Sequence, residues 1–161
     1  MSIDDIPLTR IDGATTSLGE YAGQAKLIVN LASRCGYTPQ YEKLEALQRT
    51  YGERGFTVLG FPSNQLAQEL DSDAEVAEYC STTWGVTFPM FARTDLHGAD
   101  GHPLYAHLTQ VSDAGGQAGD VAWNFEKFLV TPDGAIHRFR SAVEPDAPEI
   151  VGLIEAALPR A

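Results

Sequence analysis

Residues 26–62 read KLIVNLASRCGYTPQYEKLEALQRTYGERGFTVLGFP, and this stretch decides the fold class. It opens with an unbroken apolar run rich in branched side chains, KLIVNLA (26–32), as a strand buried on both faces requires. Thr38 is placed to cap a helix that starts at Pro39, carries Tyr41, Leu44, Leu47 and Tyr51 on one face, and stops at Gly52 or Gly55. FTVLGFP (56–62) reads as a second buried strand. Strand, helix and strand at this spacing make a parallel crossover unit, right-handed by the usual chirality.

Working outward, Ser72 and Glu75 form a capping box for a helix with Val76, Tyr79, Cys80 and Thr83 along its inner face. FPMFARTD (88–95) reads as a short strand, HPLYAHLTQ (102–110) as a short helix and DAGGQAGD (113–120) as a loop. WNFEKFLVTPDGAIHRFR (123–140) predicts two strands joined at Asp133-Gly134. PEIVGLIEAALP (148–159) is an amphipathic helix, and PLTRIDGATTSLGEY (7–21) can form an N-terminal hairpin. The sum is an α/β chain, one domain over residues 1–161, with a central mixed sheet flanked by helices.

Composition narrows the partners. A formal net charge of −11 repels phosphate backbones and anionic lipid surfaces, so neither nucleic acid nor stable membrane association is expected. The opening MSIDDIPLTRIDG lacks the basic start and apolar stretch of a signal peptide, which points to a cytoplasmic protein. His97, His102 and His107 recur at a spacing of five, which suits neither a helix face nor a strand, so no metal site is expected. The glycines of 113–120 do not follow a strand in the phosphate-binding pattern, and no cofactor is expected.

Two cysteines, Cys35 and Cys80, are too few for a disulfide framework or a structural zinc site. Cys35 falls between a buried strand and a helix N-terminus, where unpaired N–H groups and the helix dipole favour a thiolate, with Arg34 adjacent. A small buried hydrophobe is the alternative at the same position. A C-x-x-C motif would need a cysteine at Thr38, so dithiol exchange within this loop is excluded.

The segments NLASRCGYTPQY, LGFPSNQ, QELDSDAEVAEYCSTTWGVTFPMF, HPLY and WNFEKFLV, in this order and over nearly the whole chain, resemble the glutathione peroxidase family. The resemblance implies a thioredoxin-like fold and reduction of hydrogen peroxide and organic hydroperoxides by an active-site cysteine, here Cys35. It places Gln68, Trp123 and Asn124 as the companions of the sulfur. Their chemistry suits that role: neutral N–H donors stabilise a thiolate and a leaving oxygen, where a carboxylate would raise the thiol pKa. NQLAQE is one residue shorter than the family's pattern, which leaves Gln65 as an alternative to Gln68.

The same resemblance bears on how Cys35 is reset. Many cysteine-type members of the family use an intramolecular disulfide that thioredoxin reduces, whereas selenocysteine-type members are mostly reset by glutathione. Cys80 is the thiol available as the resolving residue, although the resolving position can also align with Ser81, and Cys80 can equally be a core thiol. Ser63 stands where many relatives have another cysteine. The short segment between HPLY and WNF implies a monomer with an open active-site face. A peroxide sensor that passes its disulfide to a partner protein is the alternative function.

Overall fold

The computed structural model describes residues 3–32, 39–63, 72–93, 102–113, 115–119, 121 and 124–158. A small antiparallel hairpin of β1 (Pro7–Thr9) and β2 (Thr15–Ser17) leads into β3 (Ala25–Leu31), followed by α1 (Gln40–Tyr51) and β4 (Phe56–Pro62). After these come α2 (Asp73–Tyr79), α3 (Pro103–Leu108), β5 (Lys127–Val130), β6 (Ile136–Phe139) and α4 (Pro148–Ala157). The main sheet has the order β4-β3-β5-β6. β3 and β4 run parallel, from Ala25 opposite Phe56 to Leu31 opposite Pro62, while β5 lies antiparallel to both β3 and β6.

Every residue of β3 and β4 is buried, as their continuous apolar runs require of strands covered on both faces. Alternation splits the core in two. Leu27, Val29 and Leu31 pack with Tyr41, Leu44 and Leu47 of α1, Val76 and Cys80, and Ile150 and Ile154 of α4. On the other face, Ile28, Leu59, Phe61 and Phe128 pack with Leu8 of the hairpin and Leu104, Tyr105 and Leu108 of α3. The sheet is therefore sandwiched between layers, with α1, α2 and α4 on one side.

Local chemistry sets the boundaries. α1 begins one residue after Pro39, ends at Tyr51 and passes through a single 3-10 turn, Gly52–Arg54, to Gly55. At φ +101° Gly55 takes the left-handed conformation that lets the chain turn back into β4. Ser72 caps α2, its side chain accepting from the Glu75 N–H, as the capping box predicts.

Two expectations need correction. The predicted strand at 88–95 is a pair of isolated bridges, Phe91 with Arg10 and Met90 with Gly60; in the second, Phe91 N–H donates to Gly60 O at 2.9 Å and Pro89 O accepts from Gly60 N–H at 3.0 Å. The next donor on that side would be Pro89, which has no N–H, so the ladder stops; residues 94 and 95 lie outside the described residues. Thr83 is exposed rather than on the inner face of the α2 segment. The helix widens into a π turn over Cys80–Trp84, and the extra residue in that turn puts Trp84 in the inward position instead.

Candidate active site

The site is built around the corner that leads into β5. Asn30, near the end of β3, grips this corner twice: its carbonyl accepts from Phe125 N–H at 2.7 Å and its Oδ1 accepts from Glu126 N–H at 2.9 Å. Phe125 has φ +62°, and it is the only non-glycine residue with positive φ among the described residues. A bulky side chain in that region is strained by about 1–3 kcal/mol and persists only where its surroundings hold it. Here the grip of Asn30 and the full burial of the Phe125 ring do so.

The strained corner presents Asn124. Its side chain is wholly buried, yet neither Nδ2 nor Oδ1 has a hydrogen-bond partner among the described residues. Leaving a buried amide unpaired costs about 1–3 kcal/mol. Strain and an orphaned amide on consecutive residues are what a fold retains where a side chain must be aimed at a reactant.

Behind the corner lies an ion network. The carboxylate of Glu126 accepts from Arg138 Nε at 2.8 Å and from Arg140 Nη1 at 2.9 Å, and the Glu126 and Arg138 side chains are both fully buried. Arg138 also donates to the carbonyls of Val111 at 2.9 Å and Gly119 at 2.8 Å, and Arg140 Nε reaches Asp113 Oδ2 at 2.8 Å. The Arg140 guanidinium, with the N–H groups of Gln117 and Gly115, holds the Asp113 carboxyl below its ordinary range. The 109–119 segment is thereby pinned to β5 and β6.

Cys80 is 2% exposed, in the core beside Val76. It opens the π turn, whose end is marked by Gly85 at φ +61°, with the Gly85 N–H donating to Cys80 O. The Trp84 ring stacks on Tyr41 at 5.9 Å, and Tyr41 meets the Phe125 ring edge-on at 5.4 Å. A row of rings thus joins the Cys80 turn to the Asn124 corner. Past the turn, Glu45 of α1 accepts from Thr87 N–H at 2.7 Å and latches the chain back to the helix.

Of the residues singled out in the sequence, Cys35, Gln68 and Trp123, with Gln65 and Thr38, lie outside the described residues. The structure brings the Asn124 corner and the Cys80 turn together through Tyr41. Ser63 is buried at the end of β4, its N–H donating to Leu31 O at 3.2 Å. His102 caps α3, its Nδ1 accepting from Leu104 N–H at 3.1 Å, and burial holds its pKa below the ordinary value. Asn30, Glu126 and Lys127 were missed by reading motifs. Their signal was present: each is a polar or charged residue inside a strand-like apolar run.

Residues 3–109 match the model of the glutathione peroxidase family. The chain belongs to that family. It is 46% identical over 169 aligned positions to the thioredoxin/glutathione peroxidase BtuE of Escherichia coli (strain K12), covering 92% of each chain. It is 44% identical to the hydroperoxy fatty acid reductase gpx1 of Synechocystis sp. (strain ATCC 27184 / PCC 6803 / Kazusa), covering 92% of this chain and 90% of that one. The crystal structure of T. cruzi GPX1 superposes with a TM-score of 0.76 at 30% identity, over 98% of this chain and 96% of that one. The fold is accordingly the thioredoxin-like one, and this glutathione peroxidase is an oxidoreductase that reduces hydroperoxides with a thiol.

Proposed function

We propose that Cys35 is the peroxidatic residue, that Gln68, Trp123 and Asn124 supply its N–H donors, and that Cys80 resolves the oxidised form. The observation that carries this reading is the buried, unpartnered amide of Asn124 on a strained corner. The thiolate attacks the O–O bond of the hydroperoxide, forming an S–O bond as the O–O bond breaks. The leaving oxygen takes a proton and departs as alcohol or water, and the sulfur becomes a sulfenic acid. Donors fixed before the reaction stabilise both the thiolate and the developing oxyanion without reorganising.

Resolution follows by attack of the Cys80 sulfur on the sulfenic sulfur, which releases water and leaves a Cys35–Cys80 disulfide. Two thiolates of reduced thioredoxin then exchange with that disulfide and become oxidised themselves. Cys80 is buried, so its turn opens to expose the sulfur, and the two Cα atoms of the disulfide then come within about 7 Å of one another. A π turn whose middle residues Ser81, Thr82 and Thr83 are exposed supports such opening, since little apolar surface other than Cys80 and Trp84 is uncovered. Direct reset by glutathione is the other route open to a sulfenic acid.

The setting we propose is a cytoplasmic, single-domain monomer without metal or cofactor. Among the described residues no helix is long and apolar enough to cross a membrane, and the net charge of −11 opposes binding to anionic surfaces. A sensor that passes its disulfide to a partner is not favoured, since the relatives matched are named as peroxidases and a reductase. The test is peroxide consumption with thioredoxin and glutathione side by side, followed by mass mapping of the oxidised thiols. A Cys35–Cys80 disulfide in wild type, and a Cys80→Ser variant that reacts once but does not turn over with thioredoxin, are the expected results. Equal thioredoxin turnover by Cys80→Ser and wild type would assign Cys80 to core packing.

A further inference from the structure

Lys127, the first residue of β5, is wholly buried, and its ammonium donates to carbonyls: Ser141 O at 3.0 Å and Val143 O at 2.5 Å. No carboxylate lies within hydrogen-bonding distance of it among the described residues. Glu126, the residue before β5, faces Arg138 and Arg140, and Glu144, from the turn after β6, is exposed and paired with Lys43 at 3.7 Å. α1 offers Gln40 and Lys43, and the carboxylates of α4, Glu149 and Glu155, are exposed. Burial pushes the Lys127 ammonium down to about 7, with Glu144 and Glu126 drawing it partly back. A buried cation without a counter-ion is costly, and such groups concentrate at functional sites.

Two further observations say where this cation acts. The Ser141 carbonyl that Lys127 holds also accepts from Gln40 Nε2 at 2.9 Å, and Gln40 is the first residue of α1, five residues after Cys35 in the chain. Gln40 is itself buried, and its Oε1 has no partner among the described residues. On the sheet side, Lys127 pairs with Val29 of β3, six residues before Cys35. The chain therefore enters and leaves the segment that carries Cys35 through residues bonded to, or paired with, the surroundings of one ammonium.

We propose that Lys127 is a positioning residue for the peroxidatic thiolate: with Gln40 it fixes the Ser141 carbonyl against which α1 begins, and it sets a buried positive charge beside the start of the helix that follows Cys35 in the chain. The proposal rests on Cys35 being the peroxidatic residue. Each charge favours the other, so the thiol and the ammonium titrate as a coupled pair. Replacing the cation disfavours the thiolate while leaving the sulfur's intrinsic reactivity intact.

The test is the pH dependence of Cys35 alkylation by iodoacetamide in reduced protein, with Cys80→Ser as background so that one thiol is read. In Lys127→Met, which removes charge and donor, and in Lys127→Gln, which keeps a donor, the midpoint of the thiolate titration should rise by about one pH unit. The rate at pH 6 should fall roughly tenfold, whereas the limiting rate at high pH should stay within about twofold of the parent. A midpoint that stays in place in a folded variant overturns the proposal, whatever happens to thermal stability. One further measurement avoids folding of the Lys127 variants: in Cys35→Ser, the Lys127 side-chain NMR resonance should titrate at lower pH than in the parent, and an unmoved resonance counts against the proposal. If Cys35 of the parent itself alkylates only as fast as an ordinary thiol at pH 7, the reading of Cys35 fails first and the role of Lys127 with it.

Discussion

Replacing Asn124 by alanine separates a structural from a catalytic role more sharply than any other single change, because the two roles predict opposite effects. In the folded protein the amide is buried with both polar atoms unpartnered among the described residues, so removing it relieves a penalty of up to about 3 kcal/mol. Against that stands the small space left behind, about 1 kcal/mol if the surroundings do not close over it. The net expectation for Asn124→Ala is a stability unchanged or raised by up to about 2 kcal/mol. Its reaction with peroxide should slow by about 10²-fold or more, the scale of losing one preorganised donor. Urea unfolding of the reduced protein gives the first quantity, and stopped-flow single-turnover oxidation gives the second. A variant that loses more than about 2 kcal/mol while its rate stays within about threefold of wild type would make Asn124 a packing residue and refute the reasoning.

Asn30→Ala leaves the buried Glu126 N–H without its acceptor, and should cost about 1–3 kcal/mol in unfolding free energy. It should also slow peroxide reduction, since one of the two bonds that hold the corner at Phe125 is then lost; a wild-type rate would show that the backbone bond alone holds it. Stability should also rise with pH above about 7. Native Lys127 gives up its proton near there while the unfolded chain keeps it to its ordinary value of 10.5, so over that interval the unfolded state binds more protons. Between about pH 7 and pH 9 the gain is roughly 2 kcal/mol by urea unfolding. It should vanish in Lys127→Met, and an equal rise in that variant would assign the effect to another group.

Most of the fold is legible in the sequence where the signal is local and strong. The branched apolar runs at 26–32 and 56–62 mark β3 and β4 to within a residue, because a strand buried on both faces is built mostly from apolar side chains. Asp133-Gly134 marks the β5–β6 turn, where Gly134 takes φ +90°. What escapes is set by tertiary contact. The segment around Phe91 has strand composition but meets β4 only at Gly60, and the wider turn after Cys80 shifts the inner face from Thr83 to Trp84. Of the site, motif resemblance reaches Asn124 but not the strain at Phe125 or the grip of Asn30, since a backbone torsion and a partner 96 residues away leave no mark in a short window. Lys127 is visible as a charge in an apolar strand, but its partnership with Ser141 and Gln40 depends on the folded packing.

If the Cys35 thiolate is the group that attacks the peroxide, hydroperoxide consumption by Cys35→Ser in the presence of thioredoxin and its reductase shows it most directly. A serine hydroxyl is nearly isosteric with the thiol but does not ionise near neutral pH, so the nucleophile is lost while the fold is kept. The expected result is no peroxide reduction above background, with circular dichroism and unfolding curves unchanged from wild type. Turnover near the wild-type rate in a folded Cys35→Ser protein would contradict it.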